Sequence, residues 1–237
     1  MSKEKEILSL IAEDNPADIL DYTLDTIANT VRDQLNDHIK QCTACPISVI
    51  AKSLIQGDLK TADILVVSEH VTQEQAEHGY DTLYPFDYCK VQEPLQQVMN
   101  ERFRPEKVAY ANVVNCYPHI YDKTNNVYYP KVPGEECIKN CSVFLKTVIT
   151  VMRPLYMIIM GNIALNALHI GKRALNSHGT FIKVSGVPAI ITVTPHRIME
   201  NSRDAREQSE FFINDLDILW NKIKQDYPEN YKELIVE

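Results

Sequence analysis

The stretch "VAYANVVNCYPH", residues 108–119, joins an apolar run of strand type to a polar exit. Three other short apolar runs have the same form, and each is followed by polar or glycine-containing sequence: "DILVVSE" (63–69), "YMIIMG" (156–161) and "AIITVT" (189–194). Helical patterns such as "CSVFLKTVITVM" separate some of these runs. The alternation predicts an α/β fold, a three-layer αβα sandwich with a central four-stranded, mostly parallel sheet.

Length and composition indicate one large domain with appendages. The chain has 237 residues, 45% of them hydrophobic, so it can bury a sizeable core. We assign 38–203 to the domain, 1–37 to an N-terminal helical extension and 204–237 to a C-terminal helix and tail. Both ends carry the apolar stripe of an amphipathic helix, which either packs on the core or docks a replication or repair protein: Leu20, Leu24, Ile27, Val31, Leu35 and Ile39, then Phe212, Leu216, Leu219 and Ile223.

The net charge of −8 comes from the two ends of the chain. Residues 1–37 carry three Lys or Arg against nine Asp or Glu, and residues 204–237 carry four against nine. The middle, 38–203, is left with a net charge of +3. The overall acidity therefore does not exclude a polyanionic partner such as DNA, and the acidic ends are interpreted as solvated helix faces.

Apolar stretches such as "YMIIMGNIAL" are far shorter than the roughly 20 residues that span a bilayer, and the N-terminus lacks the apolar core of a signal peptide. We expect a cytoplasmic, intracellular protein, a monomer without a membrane partner.

Structural disulfides are rare in a reducing compartment. The close pair Cys42 and Cys45 in "HIKQCTACPISV" therefore indicates metal or redox chemistry.

Polar residues follow the predicted strands, and in parallel sheets ligands bind at the carboxyl ends of the strands. These ends read "SEHVTQEQ" (68–75), "NVVNCYPH" (112–119), "GNIAL" (161–165) and "TPHRIMENS" (194–202). We expect the functional site to be built from these four segments.

The order and spacing of these segments resemble those of the family 4 uracil-DNA glycosylases. This family is the branch of the uracil-DNA glycosylase superfamily that carries an iron-sulfur cluster. The shared pattern covers roughly residues 40–203. It consists of a CxxC near the start, "ANVVNCYP" resembling TNVVKCRP, "CSVFLKTVITVMRP", an apolar strand ending in "MG", and a loop with a histidine after the last strand. The resemblance implies a DNA glycosylase that hydrolyses the N-glycosidic bond of uracil, or of a related modified uracil, in DNA.

The resemblance also implies four cluster ligands, Cys42, Cys45, Cys116 and Cys141. A 4Fe-4S cluster needs four thiolates, and one close pair with two distant cysteines can supply them after folding. Zinc is the alternative, although its commoner signature is two close pairs. Cys137 lies four residues too early for the family position, so it and Cys89 are interpreted as spare thiols. As a further alternative, Cys116 and Cys141 are merely buried small side chains.

Two residues match base-binding positions of the family. Asn112 corresponds to the asparagine that reads uracil, and its carboxamide offers both the donor and the acceptor that this base edge requires. Phe86 in "LYPFDYC" corresponds to the aromatic residue that stacks on the base. The alternatives are a turn role for Asn112 and a core role for Phe86.

His196 in "TPHRIMEN" matches the catalytic histidine of the family, which donates to uracil O2 as negative charge develops on the leaving base. In the same loop, Arg197 is available for a phosphate, and Ile198 or Met199 for an apolar wedge in the minor groove. The alternative is that His196 is an ordinary surface residue.

The first motif departs from the family pattern. Where the family has GE(A/G)PG, this chain has Ser68, Glu69, His70, Val71 and Thr72, which retains only the glutamate. Glu69 is therefore a candidate catalytic residue. The carboxylate that the family places a few residues later aligns with Gln75, which cannot act as a base, although Glu74 is adjacent. The departure leaves a second functional class open, a catalytically silent, glycosylase-like DNA-binding or replication accessory protein.

Overall fold

A computed structural model describes residues 16–47, 52–73, 76, 93–194 and 204–236. The strands are β1 (Ile64–His70), β2 (Val108–Val114), β3 (His119–Asp122), β4 (Val127–Pro130), β5 (Tyr156–Met160), β6 (Phe181–Val184) and β7 (Val187–Thr192). The helices are α1 (Pro16–Gln41), α2 (Glu93–Asn100), α3 (Glu135–Met152), α4 (Gly161–Ala167), α5 (Ala174–Ser177) and α6 (Ala205–Asp226). Short 3-10 turns lie at Pro105–Lys107 and Tyr231–Glu233.

The central sheet has the strand order β2-β1-β5-β7-β6. The first four strands run parallel, and β6 pairs antiparallel with β7. The predicted α/β class with a mostly parallel sheet and flanking helices is thereby confirmed, but the number of four strands is wrong. The fifth strand, β6, lies at the sheet edge. It is four residues long, "FIKV", and only one of these residues is buried. Strands β3 and β4 form a separate hairpin.

The sheet is buried on both faces because its strands are almost continuously apolar. All five residues of β5 are at most 1% exposed. One face packs against α1, α3 and α4 through residues such as Leu65, Val67 and Ile159. The other face packs against α2 and α6, with Met99 and Phe212 among the buried contacts. The result is three layers, with the carboxyl ends of β1, β2, β5 and β7 at one edge of the sheet.

The helices at the two ends of the described chain pack onto this core. In α6, Phe212, Leu216, Leu219 and Ile223 are fully buried. In α1, Ala28 and Ile39 are buried, whereas Ile27, which belongs to the predicted stripe, is 37% exposed. Packing is therefore the use that the structure supports for the α6 stripe and for the C-terminal part of the α1 stripe; the side chains of Leu20 and Leu24 lie outside the described part of the chain. Among the described helices, none has the length and apolar character needed to cross a bilayer.

Candidate active site and cysteine cluster

The carboxyl ends of β1 and β2 bring two buried polar residues side by side. Ser68 and Asn112 are register partners in the parallel pair, with exposures of 7% and 4%. The Ser68 hydroxyl has no hydrogen-bond partner among the described residues. Buried polar groups are almost always paired. The Ser68 hydroxyl, next to Asn112, therefore retains hydrogen-bonding capacity for a ligand.

Glu69 points to the opposite face of β1 and contacts the helix that follows β5. Its Oε1 accepts a hydrogen bond of 2.8 Å from the backbone N–H of Ile163 in α4. Gly161 makes this approach possible, since a Cβ there would lie 2.3 Å from the same oxygen and its φ is +86°. A carboxylate that accepts a backbone N–H is a weaker base. The contact favours a positioning role for Glu69 over the predicted catalytic one, and the catalytic role stays a prediction.

A cavity of about 670 Å³ lies along this edge of the sheet. Its size is that of a small-molecule or base pocket. It is lined by the end of β1, the start of α4, the region of α5, the segment after β4 and the segment after β7: Glu69, His70, Gly161, Asn162, Asn166, Arg173, Lys131, Val193 and Thr194 among others. Asn112 lies one strand away from this lining. Lys131 and Arg173 give the cavity two cationic side chains on its rim.

Several predicted site residues fall outside the described part of the chain. These are Phe86, His196, Arg197, Ile198 and Met199. Thr194, the last described residue before that loop, lines the cavity. The roles assigned to these five residues stay predictions.

A buried carboxylate that the sequence analysis missed fixes the end of β7. Asp215 of α6 is fully buried, and it accepts hydrogen bonds from Thr192 Oγ1 at 2.7 Å and from His178 Nδ1 at 3.0 Å. Burial raises the pKa of Asp215, and the bonds from Thr192 and His178 oppose that rise. The available signal was an aspartate on the apolar stripe between Phe212 and Leu216. The network holds β7 against α6 immediately before the loop of His196.

The predicted cluster ligands come from three segments of the chain. Cys42 and Cys45 follow the end of α1, Cys116 follows β2, and Cys141 lies in α3. Cys45, Cys116 and Cys141 are buried, and Cys42 is partly buried. Burial raises the pKa of Cys116 to about 12, and the charges of Cys141, Cys42 and Cys45 raise it further. The other three thiols therefore lie near enough to Cys116 to influence its charge.

Polar contacts hold the segments that carry these thiols. Lys52 Nζ donates to the backbone carbonyls of Lys40 and Cys42, both at 2.8 Å. Asn140 of α3 donates to the carbonyl of Ala44 at 3.3 Å and to Cys45 Sγ at 3.7 Å. The loop after α1 is thereby tied to α3 and to the strand-like segment at 52–53.

Cys137, interpreted from sequence as a spare thiol, also belongs to this group. It is buried one turn before Cys141 on α3. Burial raises its pKa to about 11, and a side-chain hydrogen bond with Cys45 adds to the rise. Among the described residues, no group of three or more His, Cys, Asp or Glu side chains is arranged to hold a metal ion. The ligand assignment therefore stays a prediction, with five thiols as its candidates.

Comparison with known proteins identifies the fold family. The chain matches the family model described as Uracil DNA glycosylase superfamily over residues 54–219. The match includes Glu69, Asn112, Cys116 and Cys141, and it begins after Cys42 and Cys45. No curated protein matches the chain. The match spans most of the chain and indicates DNA binding and a DNA glycosylase-type function. With the polar strand ends described above, the chain belongs to the Uracil DNA glycosylase superfamily.

Proposed function

We propose that this protein is a monofunctional DNA glycosylase that removes uracil, or a related 5-substituted uracil, from DNA. The observation that carries the proposal is the buried Asn112 carboxamide near the end of β2, beside the Ser68 hydroxyl, which has no hydrogen-bond partner among the described residues. Glycosylases flip the target nucleotide and read the edge of its base in a pocket. An amide supplies the acceptor and the donor that match N3–H and O4 of uracil.

The remaining roles follow the family resemblance. Phe86 stacks on the flipped base, and His196 donates to uracil O2 as the bond between C1′ and N1 breaks. Water then adds to C1′, and the released uracil takes up a proton. Stabilisation of the leaving anion by one positioned donor accelerates such steps by on the order of 100-fold or more. Glu69 has a positioning role in this site, because its carboxylate accepts a hydrogen bond from the Ile163 N–H and so fixes the start of α4.

The DNA backbone is contacted by cations near the cavity. Lys131 and Arg173 line it, and we assign a phosphate contact to Arg197 with Ile198 or Met199 as the apolar wedge. Phosphate contacts fix the position of the protein on DNA, and base contacts select the site.

We also propose a structural 4Fe-4S cluster held by Cys42, Cys45, Cys116 and Cys141. The support is four neighbouring thiols, three of them buried, from segments far apart in sequence. Zinc is the alternative, although its commoner signature is two close cysteine pairs, and this chain has one such pair. When bound, the iron-sulfur cluster would cross-link α1, β2 and α3.

One observation favours a second candidate function. The Glu69 carboxylate is engaged by the Ile163 N–H, and Gln75 stands where the family places a second carboxylate. A site without a free carboxylate activates water poorly. The second candidate is a catalytically silent, glycosylase-like protein that binds DNA as an accessory to replication or repair.

The two candidates are separated by excision and binding assays on the same variants. Purified protein is incubated with uracil-containing and unmodified oligonucleotides, followed by alkaline cleavage. For an enzyme, we expect His196→Ala to lower the single-turnover rate by on the order of 100-fold with nearly unchanged DNA affinity. For a binder, His196→Ala changes nothing, and Arg197→Ala weakens binding and reduces its salt dependence. Wild-type protein that binds DNA and excises no uracil-type base contradicts the enzyme proposal.

A further inference from the structure

The hairpin of β3 and β4 exposes an unusual number of aromatic and aliphatic side chains. All four residues of β4 are exposed, and the apolar residues of the two strands are between 41% and 53% exposed: Ile120, Tyr121, Val127, Tyr128 and Tyr129. A two-stranded hairpin has little stability of its own, and a contiguous exposed apolar patch on a soluble domain marks a binding surface.

The tip of the hairpin is ordered by its own hydrogen bonds. Asp122 accepts from the backbone N–H of Thr124 at 2.8 Å and from Asn125 Nδ2 at 2.9 Å. The Tyr121 hydroxyl donates to Asn126 Oδ1 at 2.6 Å. These contacts fix the turn that joins the strands, so the hairpin presents its side chains with little further loss of conformational entropy on binding.

One face of the hairpin is aromatic. Because directly paired residues share a face, His119, Tyr121, Tyr128 and Pro130 lie together, and we call this set the aromatic face. The Tyr121 and Tyr128 rings are 4.7 Å apart, and His119 packs on Tyr128 at 5.0 Å. Buried Tyr117 stacks on His119 at 5.7 Å and so joins the aromatic face to the core. Tyr129 lies on the opposite face.

The aromatic face continues into the cavity at the strand ends. Pro130 belongs to both, and Lys131 and Val132 follow it along the cavity wall. The backbone N–H of Lys131 donates to the Pro118 carbonyl at 3.0 Å, which fixes the base of the hairpin there. Arg173 lines the same cavity. Two cations followed by exposed aromatic rings are the pattern that binds single-stranded nucleic acid, with phosphates on the cations and bases stacked on the rings.

We propose that the aromatic face binds single-stranded DNA that leaves the cavity, with successive bases stacked on Tyr121 and Tyr128. The inference rests on the proposed function for the identity of the polymer, and it adds a strand preference and a second contact surface. Aromatic stacking accepts every base, so the surface holds the flank of a site independently of its sequence. Double-stranded DNA, whose bases are already stacked, gains nothing from it.

The test compares two neighbouring tyrosines on opposite faces. Equilibrium binding is measured with a uracil-free thymidine oligonucleotide that is long enough to span cavity and hairpin, and with an abasic oligonucleotide of equal length. We expect Tyr128→Ala to weaken thymidine binding by on the order of tenfold, Tyr128→Phe to restore it, and the matched control Tyr129→Ala to leave it within about twofold. On the abasic strand, all four proteins should bind alike. Equal melting temperatures exclude a folding defect.

Three results would overturn the proposal. Tyr128→Ala binds the thymidine strand with wild-type affinity, it loses as much affinity for the abasic strand as for the thymidine strand, or Tyr129→Ala loses more affinity than Tyr128→Ala. Excision of uracil from a short oligonucleotide that ends within the cavity reports the proposed function separately. If the protein excises uracil but Tyr128→Ala has no effect on thymidine binding, only the proposal for the aromatic face is refuted. Base-dependent binding without excision refutes the enzyme and retains the surface.

Discussion

The cysteine cluster and the polar strand ends share one strand but differ in what surrounds them. Asn112 and Cys116 are four residues apart at the exit of β2. Cys116 lies near the thiols of Cys42, Cys45 and Cys141, whereas Asn112 lies beside Ser68, whose hydroxyl has no hydrogen-bond partner among the described residues. The first environment joins distant segments of the chain, and the second contains an unpartnered polar group at the strand ends. Changes at the cluster should therefore act on folding, and changes at the strand ends on chemistry.

The largest expected effect is at the cluster. Cys116→Ser or Cys141→Ser removes a proposed ligand of the cluster, and metal binding that joins distant segments is coupled to folding. We expect anaerobically purified wild-type protein to be brown, and each variant to lose the colour and more than about 3 kcal/mol of unfolding free energy. Iron analysis, visible absorbance and thermal melts measure this.

Cys137→Ser is the matched control, because Cys137 is buried on α3 one turn from Cys141. It should retain the colour. If Cys137→Ser bleaches the protein and Cys141→Ser does not, the fourth ligand is misassigned. Colourless wild-type protein with one equivalent of zinc refutes the iron-sulfur proposal.

Gly161→Ala tests the support of the strand ends. Its φ of +86° disfavours any side chain, and the new Cβ would meet the Glu69 carboxylate. We expect a loss of about 2 kcal/mol in unfolding free energy, measured by urea denaturation. In the Glu69→Ala background the same change should cost less, because only the backbone strain remains. Equal costs in both backgrounds would contradict the packing of Glu69 against Gly161.

Asn36→Ala tests how α1 is attached near the cluster. The Asn36 side chain donates to the Ile55 carbonyl at 3.0 Å and accepts from the Ile55 N–H at 2.8 Å. Its loss leaves two partly buried backbone groups unpaired, so we expect a cost of about 1–2 kcal/mol by urea denaturation. The Asn36→Asp side chain can still accept a hydrogen bond but cannot donate one. Its unfolding free energy should lie between those of the wild-type protein and Asn36→Ala. Wild-type stability of Asn36→Ala would show that α1 is not held by this contact.

The smallest effect concerns Asp215, beside the strand ends. Its pKa is raised in the folded state, chiefly by burial. The folded state therefore holds this proton more tightly, and the associated stability is present below the ordinary carboxyl pKa of about 4 and is lost as pH rises through the raised value. Asp215→Asn should remove this part of the pH dependence, measured as urea midpoints across acidic pH.

Asp226, on the same helix, is the control of opposite sign. Its pKa is lowered, first by Lys222 and then by the Tyr156 hydroxyl. Its contribution is present above the ordinary pKa and is lost as pH falls. Asp226→Asn should therefore reduce stability at neutral pH relative to acidic pH. The same pH trend for both variants would contradict the assignment for Asp215.

The parallel strands could be predicted because burial on both faces leaves continuous apolar runs in the sequence. The same rule located Asn112 at a strand end. The edge strand β6 and the β3–β4 hairpin were missed because each strand is only four residues long and is not buried on both faces. Cys137 was set aside on spacing along the chain, although four residues on a helix place it on the same face as Cys141.

The contacts that position the strand ends join residues far apart in sequence. Glu69 meets Ile163, and Thr192 meets Asp215, only after the sheet has formed. No local pattern specifies such pairs. The carboxylate at Asp215 did carry a signal, a charged residue within an apolar stripe, but the sequence alone could not show which partners compensate its burial.

Base selection by Asn112 tests most directly whether the polar strand ends form a glycosylase site. The measurement is the single-turnover excision rate from uracil-containing and matched cytosine-containing oligonucleotides. We expect the wild-type protein to release uracil and not cytosine, and Asn112→Ala to lower the uracil rate by on the order of 100-fold and to weaken the selection. Colour and melting temperature should be unchanged. Uracil release by Asn112→Ala at the wild-type rate and selectivity would contradict a base-reading role for Asn112.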